Sequence, residues 1–269
     1  MLRIASAVPL IAIVAGTIWW VPWWGTLLLA VVAAGFCGRE LGGLAVRAGA
    51  AVPPLFAGIA SAAATLVTGL QGHAELGVAD DALIGLLLLT MIAAGLVALA
   101  SGPPSPATLT RAGVVCLAPL YIGLPLGAIA RSQALFGPAA VTWFIAIMAI
   151  SDTAQFYAGR LIGIRKLAPL VSPAKTVEGA AGGFAATAIA GAALAAWGAI
   201  ALEPIVAAML AVLLAGIGMC GDLFESMLKR SAGVKDSAAV IPGHGGVLDR
   251  LDSYLFAGPV FYLFMRFVA

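Results

Sequence analysis

The chain has 269 residues, of which 62% are hydrophobic and only 10% are charged, and its mean hydropathy is +1.09. A soluble core cannot use that much apolar surface, so the composition predicts an all-α, polytopic integral membrane bundle of about nine transmembrane helices. The net charge of +2 is too small, and the basic residues too scattered between apolar segments, to indicate a nucleic-acid partner.

The first four predicted spans are residues 4–20, an apolar stretch that ends at Phe36, and residues 51–70 and 82–101. We expect the first to be a retained span rather than a cleaved signal peptide, because a second apolar run follows at once. A tryptophan cluster around Pro22 indicates a turn at a membrane interface. A short polar loop is predicted after the second span, at Cys37, Arg39, Glu40 and Arg47. The segment before the fourth span is interpreted as an acidic, solvated loop rather than a metal site, although it contains His73, Glu75, Asp80 and Asp81.

Five further spans are predicted, at residues 108–129, from Val141 into Asp152, from Thr176, at 205–220 and at 254–268. An acidic residue at the end of a span usually faces a polar cavity, so Asp152 is a candidate site residue, with an interfacial helix-end charge as the alternative. A basic loop is predicted at 159–176, after which Thr176 can cap the seventh helix. We divide the chain into N-terminal transmembrane helices (1–135) and a C-terminal transmembrane catalytic region (136–269).

Lysine and arginine are distributed unequally between the predicted loops. With nine spans, the N-terminus and the loops at 38–50, 102–107, 159–176 and 229–252 share one side, which holds nearly all the basic residues, whereas Arg131 and Arg266 fall opposite. The positive-inside rule therefore predicts that these loops face the cytoplasm across the cell (inner) membrane.

The densest group of charges lies in the stretch from Gly221 to Ser253, which contains five of the 12 acidic residues. Charge beside such apolar flanks is costly and therefore indicates a site. If the apolar run from Ile205 continues as a helix through Lys229, four polar residues share one face at i, i+3, i+4 and i+7. These four are Asp222, Glu225, Ser226 and Lys229.

A glycine-rich turn follows this predicted helix. The sequence Pro242-Gly243-His244-Gly245-Gly246 offers successive backbone N–H groups to an anion, and the loop ends in Asp249, Arg250 and Asp252. Carboxylates bind Mg²⁺, Mg²⁺ binds phosphates, and Lys, Arg and backbone N–H groups bind the remaining phosphate oxygens. The pattern therefore indicates a metal and polyphosphate site.

These residues resemble the signature of the phosphatidate cytidylyltransferases, also called CDP-diacylglycerol synthases. The resemblance rests on Ser226-x-x-Lys229-Arg230, Lys235-Asp236, the PGHGG turn and Asp249-Arg250-x-Asp252. Two upstream blocks are also similar to that family, namely Ser172-Pro173-Ala174-Lys175-Thr176-Val177-Glu178-Gly179, and Ser151-Asp152 with Tyr157-Ala158-Gly159-Arg160. The resemblance covers the C-terminal half of the chain, and nothing is carried over to the N-terminal half.

The resemblance implies a reaction of CTP with phosphatidic acid that gives CDP-diacylglycerol and pyrophosphate, catalysed within the lipid bilayer by a homodimer. It implies a two-metal centre with Mg²⁺ and a second ion, K⁺ or another Mg²⁺. The expected direct metal ligands are Asp222 and Asp249, with Glu225, Asp252, Asp152 and Asp236 as further ligands or as groups that orient the cations. The groups expected to neutralise phosphates are Lys175, Lys229, Arg230, Lys235 and Arg250, with Ser226 beside them and His244, Gly245 and Gly246 approaching a phosphate closely.

Other chemistries fit the sequence less well. Cys37, Cys116 and Cys220 are far apart and show no zinc-ligand spacing, no P-loop motif occurs, and a Ser-His-Asp hydrolase would have to use His244 as its base. Two alternatives stay open. One is a related CTP-dependent lipid enzyme, such as a polyprenol kinase or an ether-lipid cytidylyltransferase, and the other is a secondary transporter.

Overall fold

The computed structural model describes residues 2–71, 78, 81–101, 103, 105–240 and 245–268, with side chains from Val8 onward. It is 80% helical, which confirms the all-α prediction. In these ranges the helices are α1 (Leu2–Trp20), α2 (Trp23–Arg47), α3 (Pro54–Leu70), α4 (Ala82–Ala100), α5 (Ala107–Ala118), α6 (Leu124–Ile162), α7 (Val177–Ala196), α8 (Pro204–Ser231) and α9 (Leu248–Phe267). His73, Glu75, Asp80 and His244 lie outside the described residues.

Five helical stretches among the described residues are long and apolar enough to cross a membrane. They are Trp23–Arg47, Ala82–Ala100, Ala107–Ile162, Val177–Ala196 and Pro204–Ser231. Helix α3 is apolar but has only 17 residues. The chain is therefore a multi-pass membrane protein.

Helix α2 continues eleven residues beyond the predicted end of the second span, so the polar loop expected there is wrong. It ends only where Gly49 adopts a φ of 87°, with the N–H groups of Ala48 and Gly49 bonded to the carbonyls of Leu44 and Val46. The helix can carry Glu40 because that side chain is buried against hydrogen-bond donors rather than lipid.

The fifth and sixth predicted spans form one helical stretch, Ala107–Ile162, with two local irregularities. A π-helical turn at Pro119–Gly123 joins α5 to α6, and its Gly123 carbonyl accepts the Thr65 hydroxyl of α3 at 3.1 Å. A Cβ at Gly123 would lie 2.7 Å from the Ser61 carbonyl oxygen, so glycine permits this close packing. Within α6, Gly137 has a φ of 80° and separates its two halves.

The predicted basic loop at 159–176 contains a small antiparallel hairpin of β1 (Lys166–Ala168) and β2 (Ser172–Thr176), with Lys166 opposite Thr176. At the end of β2 the Thr176 hydroxyl oxygen accepts the Gly179 N–H at 3.0 Å, which confirms the predicted cap of α7. This hairpin and cap fix the backbone on both sides of Lys175.

The chain divides into two compact units. Unit 1 comprises Met1–Ala134 and Leu228–Leu251, and unit 2 comprises Leu135–Met227 and Asp252–Ala269. In unit 1, α2 and α3 pack at glycine contacts, where a Cβ at Gly38 would lie 2.5 Å from the Ala57 carbonyl oxygen. In unit 2, Phe144 stacks on Phe261 with ring centroids 4.8 Å apart, and both side chains are fully buried.

Candidate active site

The signature helix forms as the sequence predicts, because α8 runs without interruption to Ser231 and carries Asp222, Ser226 and Lys229 at the expected spacing. Helix α9, however, begins at Leu248, six residues before the predicted ninth span. Asp249, Arg250 and Asp252 therefore lie in the first turns of a helix and not at the end of a loop, which corrects the prediction. The Glu40 carboxylate, also in unit 1, accepts the N–H groups of Val247 and Leu248 at this helix start.

Asp249 is the centre of a buried polar cluster in unit 1. Its carboxylate accepts the Lys229 ammonium at 2.7 Å, and the two side chains are 4% and 11% exposed. The same carboxylate accepts the backbone N–H and the hydroxyl of Ser237, at 3.0 and 2.9 Å, and the Gly246 N–H at 2.7 Å. A buried carboxylate with this many donors is held firmly in one orientation.

Glu40 is the second carboxylate of this cluster, and sequence reasoning missed it. It is 6% exposed and accepts the N–H groups of Val247 and Leu248 at 2.9 and 2.8 Å, so that it caps α9. It also accepts the Ser237 hydroxyl at 2.9 Å. Ser237 therefore bridges Glu40 and Asp249, although its one proton can be donated to only one of them at a time.

The described part of the glycine-rich turn contacts two carboxylates of the protein. The Gly246 N–H is directed at Asp249, and a Cβ at this position would lie 2.8 Å from the Glu40 carboxyl carbon. Gly245 has a φ of 80°, which glycine adopts at little cost. Both glycines thus allow the backbone to approach carboxylates of the protein itself.

A second polar cluster, in unit 2, is centred on Asp222. The Lys175 ammonium lies 2.6 Å from one Asp222 carboxylate oxygen, with the side chains 18% and 34% exposed. The Ser226 hydroxyl lies 3.4 Å from the other oxygen. This ion pair is more open to solvent than Lys229–Asp249, so its groups are accessible to a small charged ligand.

Helices α8 and α9 pack closely at Gly221, next to Asp222 in sequence. A Cβ at Gly221 would lie 2.5 Å from the Asp252 carbonyl oxygen and 3.0 Å from Cβ of Phe256. Glycine at this position is therefore required for α8 to approach α9 so closely. The Asp252 side chain here accepts the N–H of its neighbour Ser253 at 2.7 Å.

The other candidate residues have varied surroundings. Glu225 is fully buried on α8, whereas Asp152 on α6 is exposed. Arg230 is exposed and donates to the Val234 carbonyl at 3.0 Å. The remaining three are also exposed, and they are Lys235, Asp236 and Arg250.

The candidate residues differ in how well they could bind a divalent cation. Among the described residues, no group of three or more His, Cys, Asp or Glu side chains is arranged to hold a metal ion. Asp222 and Ser226 offer oxygen donors of the kind Mg²⁺ prefers, and Asp222 is open on one side. Asp249 already accepts from Lys229, Ser237 and Gly246, so it must exchange a donor to bind a metal ion directly.

Comparison with known proteins identifies the family. A family model described as "Cytidylyltransferase family" matches residues 1–268 of this chain. This chain belongs to the cytidylyltransferase family. The resemblance noted from the C-terminal motifs is confirmed, and the family match extends over the N-terminal half as well.

Individual relatives match shorter stretches. The phosphatidate cytidylyltransferase of Bacillus subtilis is 34% identical over 160 residues, covering 59% of this chain and 60% of that protein. The phosphatidate cytidylyltransferase of Helicobacter pylori is 39% identical over 137 residues, covering 51% of each. An uncharacterized protein, YnbB, of Escherichia coli is 44% identical over 138 residues, covering 49% of this chain and 44% of the relative. The chain thus spans about half the length of the curated relatives it matches.

Two contributors to the Asp249 cluster were absent from the sequence prediction, Glu40 and Ser237. For Glu40 a signal was present, since it is an acidic residue within a stretch that is otherwise compatible with a span. For Ser237 no pattern distinguishes it from other loop serines.

Proposed function

We propose that this protein is a phosphatidate cytidylyltransferase that condenses CTP with phosphatidic acid to give CDP-diacylglycerol and pyrophosphate. The observation that carries the proposal is the pair of lysine–aspartate contacts, Lys175–Asp222 and Lys229–Asp249. Lys175, Lys229 and Asp249 belong to the motifs that resemble the family, and Asp222 lies one helical turn before Ser226. The family membership and the names of the relatives from Bacillus subtilis and Helicobacter pylori support the same conclusion.

The chemistry of this reaction explains why lysines and aspartates are needed together. An oxygen of the phosphatidate phosphate attacks the α-phosphorus of CTP, the bond to the β-phosphate bridging oxygen breaks, and pyrophosphate leaves with the electron pair. The nucleophile is already anionic near neutral pH, so little general-base help is required. The difficulty lies in bringing two anions together and in stabilising the leaving group.

The side chains of this protein address that difficulty by supplying positive charge in fixed positions. In our proposal Lys175 exchanges part of its contact with Asp222 for a phosphate oxygen, which its partial exposure permits. Lys229 is held by the buried Asp249 and lies at the same helix end as Arg230. The exposed Lys235 and Arg250 add to the positive potential that attracts a triphosphate.

We assign Asp222 as the first choice for a Mg²⁺ ligand, with Ser226 beside it, and Asp249, Glu225 and Asp252 as further members of the proposed two-metal centre. A bound divalent ion would neutralise phosphate oxygens and favour departure of pyrophosphate. We further propose about nine spans, loops with the signature residues facing the cytoplasm of the cell (inner) membrane, and a homodimer. The basic residues in and beside the motifs that resemble the family support this orientation, and they are Arg160, Arg165, Lys166, Lys175, Lys229, Arg230, Lys235 and Arg250.

Two other functions make different products. A polyprenol kinase would release CDP and phosphorylate an alcohol, and a transporter would release no pyrophosphate. An ether-lipid cytidylyltransferase would share the reaction but accept a different lipid. No observation on the described residues favours any of these three functions over phosphatidate cytidylyltransferase.

The test is to incubate the purified full chain in detergent with CTP, phosphatidate and Mg²⁺, and to measure lipid-linked cytidine and pyrophosphate. We expect both products in equal amounts, and we expect Asp222→Asn to abolish them with the folded yield unchanged, because Asp222 is partly exposed. Release of CDP, or the absence of a cytidine lipid, would overturn the proposed activity. Near-normal turnover by Asp222→Asn would overturn only the role of that residue.

A further inference from the structure

A groove runs between α2 and α3 on the surface of unit 1, and none of the site residues above lines it. It has a volume of about 220 Å³ and is almost entirely apolar, with Val32 and Phe36 on one side and Leu55 and Ile59 on the other. The groove exists because Gly35 and Gly58 have no side chains where α2 and α3 meet. Its four apolar walls are exposed, so in a membrane protein they contact lipid chains.

One end of the groove carries a positive charge. Arg39 is exposed and contributes to its lining, and no acidic side chain of the described residues forms an ion pair with it. The same helix turn carries Glu40, but that carboxylate is buried toward Ser237 and α9. A guanidinium beside an apolar groove complements a molecule that is anionic at one end and apolar along its length.

The position of Arg39 along α2 matches the depth of a phospholipid headgroup. Trp20 and Trp24 are exposed near the start of α2, where tryptophan marks a membrane interface. Arg39 lies 16 residues after Trp23, which corresponds to about 24 Å along a helix, against a hydrocarbon thickness of about 30 Å. From this depth its side chain can extend to the phosphates of the opposite leaflet while its stem stays in apolar surroundings.

We propose that the α2–α3 groove binds one anionic diacyl phospholipid of the surrounding membrane, with an acyl chain along the groove and its phosphate on Arg39. This site is separate from the proposed reaction and does not depend on it.

Native mass spectrometry of the detergent-purified protein tests the proposal, because it reports bound lipids and oligomeric state together. The probes are phosphatidylserine, phosphatidylglycerol and phosphatidylcholine at equal concentrations, because phosphatidate would also bind at the proposed reaction site. We expect the wild type to retain each anionic lipid about fivefold more than phosphatidylcholine, as one basic side chain near the membrane surface provides. Arg39→Gln should abolish this preference and Arg39→Lys should retain most of it.

Two further variants isolate the groove itself. Gly35→Leu places a side chain in the groove, where a Cβ would lie 3.9 Å from Cβ of Ala62, and we expect it to reduce binding of all three lipids. The matched controls on the same helix are Arg47→Gln and Gly43→Leu, which lie outside the groove and should bind lipids as the wild type does.

Three results would overturn the proposal. The first is an unchanged preference for anionic lipids in Arg39→Gln. The second is an equal loss of that preference in Arg47→Gln, which would indicate unspecific surface charge. The third is a change of oligomeric state in Gly35→Leu, which would assign the groove to a second copy of the chain.

Discussion

Replacing Glu40 by glutamine tests the assignment of this residue as the cap of α9. The glutamine has the same shape but offers one acceptor oxygen in place of two. In the wild type one carboxylate oxygen accepts the Val247 N–H and the other accepts the Leu248 N–H and the Ser237 hydroxyl. Either orientation of the amide therefore directs its NH₂ group at a backbone N–H and leaves that donor without an acceptor.

The cost follows from burial. A buried donor left without an acceptor costs about 1–3 kcal/mol, and the surviving bonds lose their charge-assisted character. The Ser237 hydroxyl can accept from the new NH₂ group and still donate to Asp249, so this bond is largely retained. We therefore expect the free energy of unfolding to fall by about 2 kcal/mol, which corresponds to a midpoint lower by roughly 4–8 °C in a chain of this size.

The assay is thermal unfolding in detergent, followed by tryptophan fluorescence. Glu203→Gln is the matched control, because Glu203 is exposed before α8 and the same change of charge should have little effect there. Formation of CDP-diacylglycerol should fall in parallel for Glu40→Gln, since Asp249 shares Ser237 with Glu40. A midpoint shift as small as that of Glu203→Gln would refute the role of Glu40 as a cap.

Three other substitutions probe different contacts. Asp249→Asn should lower both product formation and the folded yield, because it removes the charge that pairs with the buried Lys229 ammonium, at a cost of about 3–5 kcal/mol. A folded yield equal to that of the wild type would contradict this. Thr176→Ala should lower the unfolding free energy by about 1 kcal/mol through loss of the α7 cap, with Thr176→Ser close to wild type in the same unfolding assay. Gly221→Val should reduce activity and stability because its side chain would collide with the Asp252 carbonyl, and normal yield and turnover would show that the helices can separate there.

The helix that carries part of the candidate site could be predicted from local sequence. The apolar run from Ile205 and the spacing of its polar residues placed Asp222, Ser226 and Lys229 on one continuous helix, and the structure confirms that helix. Such spacing is a property of the helix alone and needs no tertiary contact. Pairing of each lysine with an aspartate could not be predicted in the same way, since many carboxylates lie near enough in sequence to compete.

The helix boundaries show where local reasoning failed. Charges at Arg39 and Glu40 suggested a loop, yet α2 continues through both. Arg39 is exposed on the helix surface, and Glu40 accepts hydrogen bonds from buried donors. Helix α9 begins earlier than predicted because Glu40 accepts the N–H groups of Val247 and Leu248, which a helix start would otherwise leave without an acceptor. A charge in an apolar run therefore does not by itself end a helix.

The sequence by itself determined the membrane class, the helical fold and the family, because these depend on composition and on motifs of contiguous residues. Only the tertiary structure decided that Glu40 belongs to the Asp249 cluster, since its bonds to Ser237 and Leu248 join residues 197 and 208 positions apart. It also decided that the N–H of Gly246 serves a carboxylate of the protein. Contacts over such separations depend on how helices pack, and no local pattern of residue types specifies that packing.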